Sequence, residues 1–279
     1  MPRYYFHIAY KGTNYRGWQK QRNVSTVQQT IEECLQKTLR KKITCIGCSR
    51  TDTGVHAAQY FFHIDVQEPL KKDFQTILNK VLPPDISVLD IIEIEGTPHA
   101  QFAVTERTYD YFIHTTKDPF LTDTSSYYEL KNMDFPKMNN AAQILLKYND
   151  FRAFCKTPDR HDSTICQIKA VNIFKNKNEN RIRFQITADR FLKSMIRILV
   201  YQLLEVGQGK ISCEQFENYL STNQPPRFLN MAYPQGLFLS KVSYPFLEMP
   251  QHTEMFRMIY EDDDGYWQII KNKSTLSRG

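Results

Sequence analysis

The chain has 279 residues, of which 41% are hydrophobic and 13% aromatic, and its formal net charge is +6 with a pI near 8.9. This apolar content excludes a largely disordered chain, and no apolar run reaches the roughly 18 residues that a transmembrane helix needs. The first residues show no signal-peptide pattern. The modest basic excess suits a polyanionic partner such as a nucleic acid.

The first half of the chain is predicted to form a βαββαβ unit, an α+β plait with an antiparallel sheet. Short β-branched and aromatic runs indicate its strands, and apolar residues at helical spacing indicate its helices. Ser25 and Gln28 resemble a capping box at the start of the first helix. The predicted elements are a strand at 3–10, a helix at 26–39, strands at 43–48 and 60–66, a helix at 72–81 and a strand at 86–94.

A loop at 11–22 follows the first strand and mixes two glycines, four basic residues and two aromatic residues. Arg16, Trp18 and Gln19 lie in it. This composition is typical of a loop that grips phosphate while an aromatic ring stacks on a base. A solvated turn with a buried tryptophan explains it equally well.

A polar loop at 49–57 lies between two predicted strands, and Asp52 is its one carboxylate. Gly54 allows a sharp turn beside that carboxylate, and Arg50 precedes it by two residues. Loops held by strand ends are suited to fixing a reactive side chain. A turn-capping aspartate is the alternative interpretation of the same pattern.

The second half is predicted to repeat the sheet-and-helix pattern. Within its first strand, the period of two puts Arg107, Tyr109 and Tyr111 on one face. Its predicted elements are a strand at 102–114, a helix at 139–148, strands at 165–174 and 181–187 joined by a turn at 176–180, a helix at 189–206 and a strand at 236–242.

The helix predicted at 189–206 is apolar over most of its circumference, so we expect it to be largely buried. Helical spacing would put Arg190, Lys193 and Arg197 on one stripe, with Ser194 beside it. A buried arginine needs a carboxylate or a phosphate as partner. The stripe therefore indicates either an anion-binding function or an ordinary solvated face.

Six cysteines are scattered along the chain, and Cys45 and Cys48 form a CxxC pair. In the strand predicted there, their spacing would direct them to opposite faces. With no second CxxC or histidine pair to complete a zinc site, structural thiols in a reducing compartment, the cytoplasm, are expected. A zinc or redox role is the weaker alternative.

The tail from 247 to 279 is predicted to be an extension with a hairpin and a disordered end. Asp264 and Gly265 stand between the apolar runs 255–260 and 266–270, which is a hairpin pattern. The residues from Lys271 onward are expected to be disordered.

Six motifs, in order from about residue 4 to 245, closely resemble the bacterial tRNA pseudouridine synthase A (TruA) family. The central one, Ser49-Arg50-Thr51-Asp52-Thr53-Gly54-Val55-His56-Ala57, is similar to the family's Gly-Arg-Thr-Asp-Ala-Gly-Val-His-Ala loop. The other matching segments are Tyr10-Lys11-Gly12-Thr13 with Gly17-Trp18-Gln19-Lys20-Gln21, Pro98-His99-Ala100-Gln101-Phe102 with Arg107-Thr108-Tyr109-Asp110-Tyr111, Asn149-Asp150-Phe151-Arg152-Ala153-Phe154, Phe191-Leu192-Lys193-Ser194-Met195-Ile196-Arg197, and Gly236-Leu237-Phe238-Leu239 with Tyr244-Pro245.

The resemblance implies a two-lobed α+β (α/β) fold, each lobe an antiparallel sheet with helices on one face and an RNA cleft between them. The lobes are expected at 1–97 and 98–246. It also implies an isomerase that converts uridine to pseudouridine in the anticodon stem-loop of tRNA, working as a cytoplasmic homodimer. Asp52 would be the catalytic carboxylate, Tyr109 would stack on the target uracil and Arg197 would pair with the aspartate. The expected RNA contacts are Arg16, Trp18, Gln19, Arg50, His56, Arg107 and Lys193.

This chemistry suits the residues, because moving C1′ of uridine from N1 to C5 involves no redox change and requires no cofactor or metal. It requires a carboxylate near the sugar and an aromatic ring that receives the flipped base. Asp52 could attack C1′, attack C6 or remove a sugar proton through a glycal. The chain departs from the family pattern at Lys11, Ser49, Thr53, Gln101 and Lys193-Ser194.

Two other functions stay open. The departures suggest a paralogue with the same chemistry on a different RNA, and the basic and aromatic residues of the expected cleft suggest a non-catalytic RNA-binding protein. The retained carboxylate disfavours the second, since binding alone needs no carboxylate beside phosphate.

Overall fold

The computed structural model describes residues 1–247 and 266–271, and these form a mixed α+β fold with mostly antiparallel strand pairing. The described residues divide into two compact units: 1–107 with 238–247, and 108–237 with 266–271. The α+β class predicted from sequence is confirmed. No helix in the described ranges is long and apolar enough to cross a membrane.

The described residues form ten strands, five α-helices and five 3₁₀ helices of three residues each. The strands are β1 (Arg3–Tyr10), β2 (Ile46–Gly47), β3 (His56–Asp65), β4 (Ile86–Ile94), β5 (Glu106–His114), β6 (Ser126–Tyr127), β7 (Ile168–Lys175), β8 (Arg181–Ala188), β9 (Leu237–Ser243) and β10 (Gln268–Ile269). The helices are α1 (Val27–Leu39), α2 (Phe74–Val81), α3 (Phe135–Ile144), α4 (Met195–Gly207) and α5 (Cys213–Thr222).

The first unit is built on β3, which is buried along its length except at its last residue. β1 lies antiparallel to β3 on one side and to β4 on the other. β9 runs parallel to the start of β3, where His56 is opposite Phe238. α2 packs against β4 and α1 packs against α2. The start of β3, which carries the end of the polar loop, is therefore held on both flanks.

The second unit pairs β7 with β8 in antiparallel register and adds β10 to the outer edge of β7. α3 packs against α4 and α5. β5 brings Asp110 into this core, where Arg183 Nε donates to its carboxylate at 2.7 Å. Both side chains are almost wholly buried, so the two charges compensate each other, and Gln185 Nε2 also donates to Asp110 Oδ1 at 3.2 Å.

Two details of the first unit correct the sequence predictions. Helix α1 is capped by Thr26 and not by Ser25, because Thr26 Oγ1 accepts the Gln29 N–H at 3.3 Å. Glu32 of the helix accepts the Cys45 N–H at 3.1 Å. The Cys45 N–H is therefore not available for pairing between strands. This explains why β2 has only two residues, whereas a strand at 43–48 was predicted.

The helix predicted at 189–206 begins at Met195, and the prediction of a cationic helical stripe was wrong. Ser194 has φ +60°, in the left-handed region, so the helix does not extend to the residues before Met195. Arg190 and Lys193 are exposed and precede the helix, while Arg197 is half-buried within it. Asp189 Oδ1 accepts the N–H groups of Gln167 and Arg190, which holds the preceding segment out of helical geometry.

Other boundaries shift for reasons that lie in capping and turns. Residues 102–105 are the end of a turn and an irregular segment, and the predicted long strand starts only at Glu106. α3 begins earlier than predicted, because Asp134 caps it by accepting the Lys137 N–H at 2.9 Å. α5 was not predicted, although Ser212 caps it in the same way through Gln215 N–H at 3.1 Å.

The tail predictions lie mostly outside the described residues. Residues 248–265, with the predicted hairpin turn, and residues 272–279 are not described. The described piece, 266–271, carries β10, with Gln268 opposite Lys175 and Ile269 opposite Phe174.

Candidate functional site

The polar loop forms a tight turn just before β3. The Val55 N–H donates to the Asp52 carbonyl at 3.2 Å, and Gly54 adopts φ +75° within the turn. Asp52 is half-buried and Thr53 is exposed. Asp52 is thus the first residue of a turn that is closed by a hydrogen bond to its own carbonyl.

The loop after β1 grips this turn through backbone and hydroxyl groups. Trp18 N–H donates to the Thr51 carbonyl at 3.2 Å, and Gly54 N–H donates to the Tyr15 carbonyl at 3.2 Å. The hydroxyls of Tyr10 and Thr51 are hydrogen-bonded at 2.9 Å. Asp52 is therefore flanked on both sides by residues tied to another segment of the chain.

Two glycines allow that close approach. A Cβ at Gly12 would lie 2.0 Å from the Val55 carbonyl oxygen, and a Cβ at Gly17 would lie 2.4 Å from that of Thr51. Gly17 also has φ +88°, which other residues rarely adopt. These glycines are required because the two loops touch backbone to backbone.

His56 lies in the interior and holds the same junction. Its Nδ1 accepts the Gly12 N–H at 2.9 Å, and its ring stacks on Phe238 with centroids 4.5 Å apart. Only 1% of the residue is exposed. The structure therefore places this predicted RNA contact where it orients the loop.

Arg107 is likewise buried and turned toward the protein. Its Nη2 donates to the Cys48 carbonyl at 2.8 Å and to the Gln101 carbonyl at 3.1 Å. The first bond ties down the residue that precedes the polar loop. Sequence reasoning missed this positioning role, because the period of two gives the face of a strand and not what covers that face.

Trp18 is 1% exposed, and its ring packs on Tyr60 with centroids 4.1 Å apart. The environment of Trp18 therefore agrees with the interpretation of the loop at 11–22 as a turn with a buried tryptophan. Arg16, Gln19 and Arg50 are exposed. A pocket of about 230 Å³ adjoins the polar loop and is lined by Trp18, Gln19, Gln28, Thr44, Cys45, Ile46, Gly47, Ser49, Arg50 and Gln101.

The remaining predicted site residues belong to the second unit. Tyr109 is buried, with its ring edge-to-face against Phe191 at 5.3 Å between centroids. Arg197 Nε donates to the Ala232 carbonyl at 2.7 Å, which fixes the direction of its guanidinium. Lys193 is exposed.

Cys45 and Cys48 are both buried and flank β2 instead of lying within it, so the predicted strand that would direct them to opposite faces does not include them. Burial raises the pKa of Cys48 to about 11, and it raises the pKa of Cys45 well above its usual value. Both are protonated thiols at neutral pH, which does not favour metal binding or redox chemistry. Within the described ranges, no cluster of three or more His, Cys, Asp or Glu could hold a metal ion.

Comparison with known proteins gives one consistent family. Residues 141–245 match the family model described as tRNA pseudouridine synthase. A tRNA pseudouridine synthase A of Bacteroides thetaiotaomicron is 39% identical over 249 residues, covering 88% of this chain and 91% of that protein. A protein of the same name from Bacteroides fragilis is 40% identical over 88% of this chain and 97% of its own length. Another, from Clostridium kluyveri, is 36% identical over 85% of this chain and 97% of its own length.

Proposed function

Because the chain belongs to the tRNA pseudouridine synthase A family, we propose that it isomerises uridines in the anticodon stem-loop of tRNA, with Asp52 as the catalytic carboxylate. Membership of the family makes the chain an isomerase that modifies tRNA. The choice of the anticodon stem-loop and the role of Asp52 are the parts that need testing.

One observation carries the assignment of Asp52. Its turn is the place where the loop after β1, the start of β3 and Arg107 converge, through the bonds from Trp18 N–H to Thr51, Gly54 N–H to Tyr15 and Arg107 to Cys48. A turn-capping aspartate needs no such support from distant segments. A catalytic group does, since displacement by about 1 Å lowers a rate roughly 100-fold.

The chemistry requires one bond to break and one to form on the same sugar. The N1–C1′ bond is cleaved, the uracil turns, and a C5–C1′ bond forms while C5 loses its hydrogen. A carboxylate serves this sequence as a nucleophile at C1′ or C6, or as the base that opens a glycal route. All three routes place Asp52 against the ribose or the uracil ring.

The other site residues take complementary roles in this proposal. Tyr109 receives the flipped uracil, and the edge-to-face contact of its ring with Phe191 keeps that ring from turning. Arg197 pairs with Asp52 and compensates its negative charge. The bond from Arg197 Nε to the Ala232 carbonyl supports that role, because a backbone group then fixes the orientation of the guanidinium.

RNA contacts are proposed for the exposed cations and amides: Arg16, Gln19, Arg50 and Lys193. Trp18, His56 and Arg107 support the loop from within. We further propose two lobes with an RNA cleft, a homodimer on one tRNA, and action in the cytoplasm.

A second candidate is the same chemistry on another RNA. It is favoured by the departures at Ser49 and Gln101, since both line the pocket beside the polar loop. The substrate, and not the reaction, would then differ.

Pseudouridine mapping in a deletion strain tests the proposal. We expect anticodon-arm pseudouridines to disappear on deletion, and to return with the wild-type gene but not with Asp52→Asn. Asp73→Asn is the matched control, because Asp73 is exposed and makes no side-chain cap bond at α2. Unchanged anticodon-arm sites with loss elsewhere would favour the second candidate. Restoration by Asp52→Asn would remove Asp52 from the mechanism.

A further inference from the structure

A short turn at His99–Phe102 presents an aromatic ring to solvent on the same unit as the polar loop. The Ala103 N–H donates to the His99 carbonyl at 3.0 Å and closes the turn. The Gln101 N–H donates to His99 Nδ1 at 3.2 Å. This second bond fixes the orientation of the imidazole relative to its own turn.

Three hydrogen bonds join the backbone of this turn to buried side chains of the same unit. The Ala100 N–H donates to His63 Nδ1 at 3.1 Å, and the Ala100 carbonyl accepts from Tyr244 Oη at 2.7 Å. The Gln101 carbonyl accepts from Arg107 Nη2 at 3.1 Å. The turn is therefore a rigid support, held by three side chains that are themselves buried.

The side chain of Phe102 projects from this turn into solvent. Its ring is stacked on His99 at 4.3 Å between centroids and 23° between planes, yet the residue is 78% exposed. One face rests on the imidazole and the other is open. Single exposed apolar residues are common, but most are not mounted on a turn held by buried partners.

The surroundings of the ring suit a nucleotide. Gln101, next in sequence to Phe102, lines the pocket of about 230 Å³ together with Gln19, Ser49 and Arg50. That volume lies below the roughly 300–1,000 Å³ of sites for drug-sized ligands, so it fits one small group such as a base or a ribose. Amide side chains pair with base edges, and an exposed arginine suits phosphate.

We propose that Phe102, backed by His99, stacks an unpaired base of the substrate RNA other than the target uridine, and that the adjoining pocket holds the base or the ribose of the next nucleotide. This subsite rests on the proposed function for its ligand. Because Arg50 of the pocket is two residues from Asp52, the subsite would fix the register of the strand that presents the target.

The test compares Phe102→Ala, Phe102→Leu and Phe102→Tyr in the full chain. The probe is an anticodon stem-loop RNA with 2-aminopurine placed in turn at each unpaired position. Stacking on an aromatic ring is worth about 1–3 kcal/mol, so Phe102→Ala should weaken binding about 5- to 150-fold. Phe102→Tyr should bind like the wild type. Phe102→Leu should resemble Phe102→Ala, because it keeps apolar volume but loses the π-face.

The fluorescence separates stacking from a structural effect. In the wild type and Phe102→Tyr, 2-aminopurine at one position should be quenched on binding, and that quenching should be lost in Phe102→Ala and Phe102→Leu. Phe120→Ala is the control for removing an exposed phenylalanine elsewhere, since Phe120 is 92% exposed. Equal binding and quenching by all variants would overturn the subsite, as would a Phe102→Leu variant that behaves like Phe102→Tyr.

Failure of the subsite and failure of the proposed function give different results. If the wild type releases no tritium from 5-tritiated uridine in tRNA, the proposed function fails. The quenching data still decide the subsite, because they measure binding and not turnover. If the wild type releases tritium while Phe102→Ala binds and quenches normally, only the subsite fails.

Discussion

Replacing Gly17 by alanine should displace the turn that carries Asp52 while leaving the rest of the first unit folded. The added Cβ would lie 2.4 Å from the Thr51 carbonyl oxygen and 3.2 Å from the Asp52 carbonyl carbon. Both are backbone atoms, which cannot rotate aside as a side chain can. The residue at risk is therefore the one that carries the proposed chemistry.

The size of the effect follows from two terms. Placing alanine at φ +88° costs roughly 1–2 kcal/mol, partly offset by about 0.4–1 kcal/mol because alanine has fewer unfolded conformations than glycine. The overlap adds more, since 2.4 Å is about 1 Å short of the distance at which ordinary contact begins. A shift of about 1 Å at the carboxylate should lower kcat roughly 100-fold.

Gly96→Ala carries the backbone strain alone, so the difference between the two variants isolates the overlap. Gly96 has φ +74°, but nothing lies within 4 Å of the Cβ it would carry. Both variants therefore carry backbone strain, and only Gly17→Ala carries the overlap. Urea titrations should show the larger loss of unfolding free energy for Gly17→Ala, and tritium release should show near-normal kcat for Gly96→Ala alone. A folded Gly17→Ala variant with wild-type kcat would refute the claim that this contact positions Asp52.

Three further predictions concern buried polar groups. Arg107→Met should remove about 1–3 kcal/mol of stability per carbonyl left unsatisfied and should lower kcat more than it raises KM, which urea titration and steady-state kinetics would show; equal kcat would contradict its positioning role. Asp110→Asn should cost about 3–5 kcal/mol in thermal unfolding, because it removes the carboxylate that compensates the buried Arg183 guanidinium, whereas replacing both residues by apolar ones should cost much less. Burial, with a smaller effect of Arg3, lowers the pKa of His63 from 6.5 to about 4, so the unfolded chain binds the extra proton and stability is present above pH 6.5 and lost as pH falls toward 4. The His63 part of that loss should stay below about 3 kcal/mol. Between pH 7 and pH 4.5 the urea midpoint should fall further in the wild type than in His63→Gln, where His114 and Asp65 still titrate; equal falls would contradict the prediction.

Elements marked by strong periodicity and turn residues could be predicted from the sequence. The strand at 86–94 and the turn at 176–180 lie where they were expected, because β-branched runs bounded by prolines or asparagines have few alternatives. The family motif at 49–57 indicated the family for the same reason: its residue types and their order are specific. The role of Asp52 within that motif stays a prediction.

The direction of the side chains could not be predicted. His56 and Arg107 carry the residue types expected of RNA contacts, yet both turn inward and bind backbone of their own unit. Those bonds join residues 44 and 59 positions apart in the chain, so no local pattern reports them. The start of α4 was missed because Ser194, and not a glycine, adopts the left-handed conformation.

Tritium release from 5-tritiated uridine in tRNA tests the central claim most directly, because C5 must lose its hydrogen when the C5–C1′ bond forms. Purified wild-type chain should release tritium in proportion to pseudouridine formed. Asp52→Asn should bind the same tRNA, measured by filter retention, and release none above background. Release by Asp52→Asn at the wild-type rate would contradict the account, since the turn would then be a well-supported loop without a catalytic carboxylate.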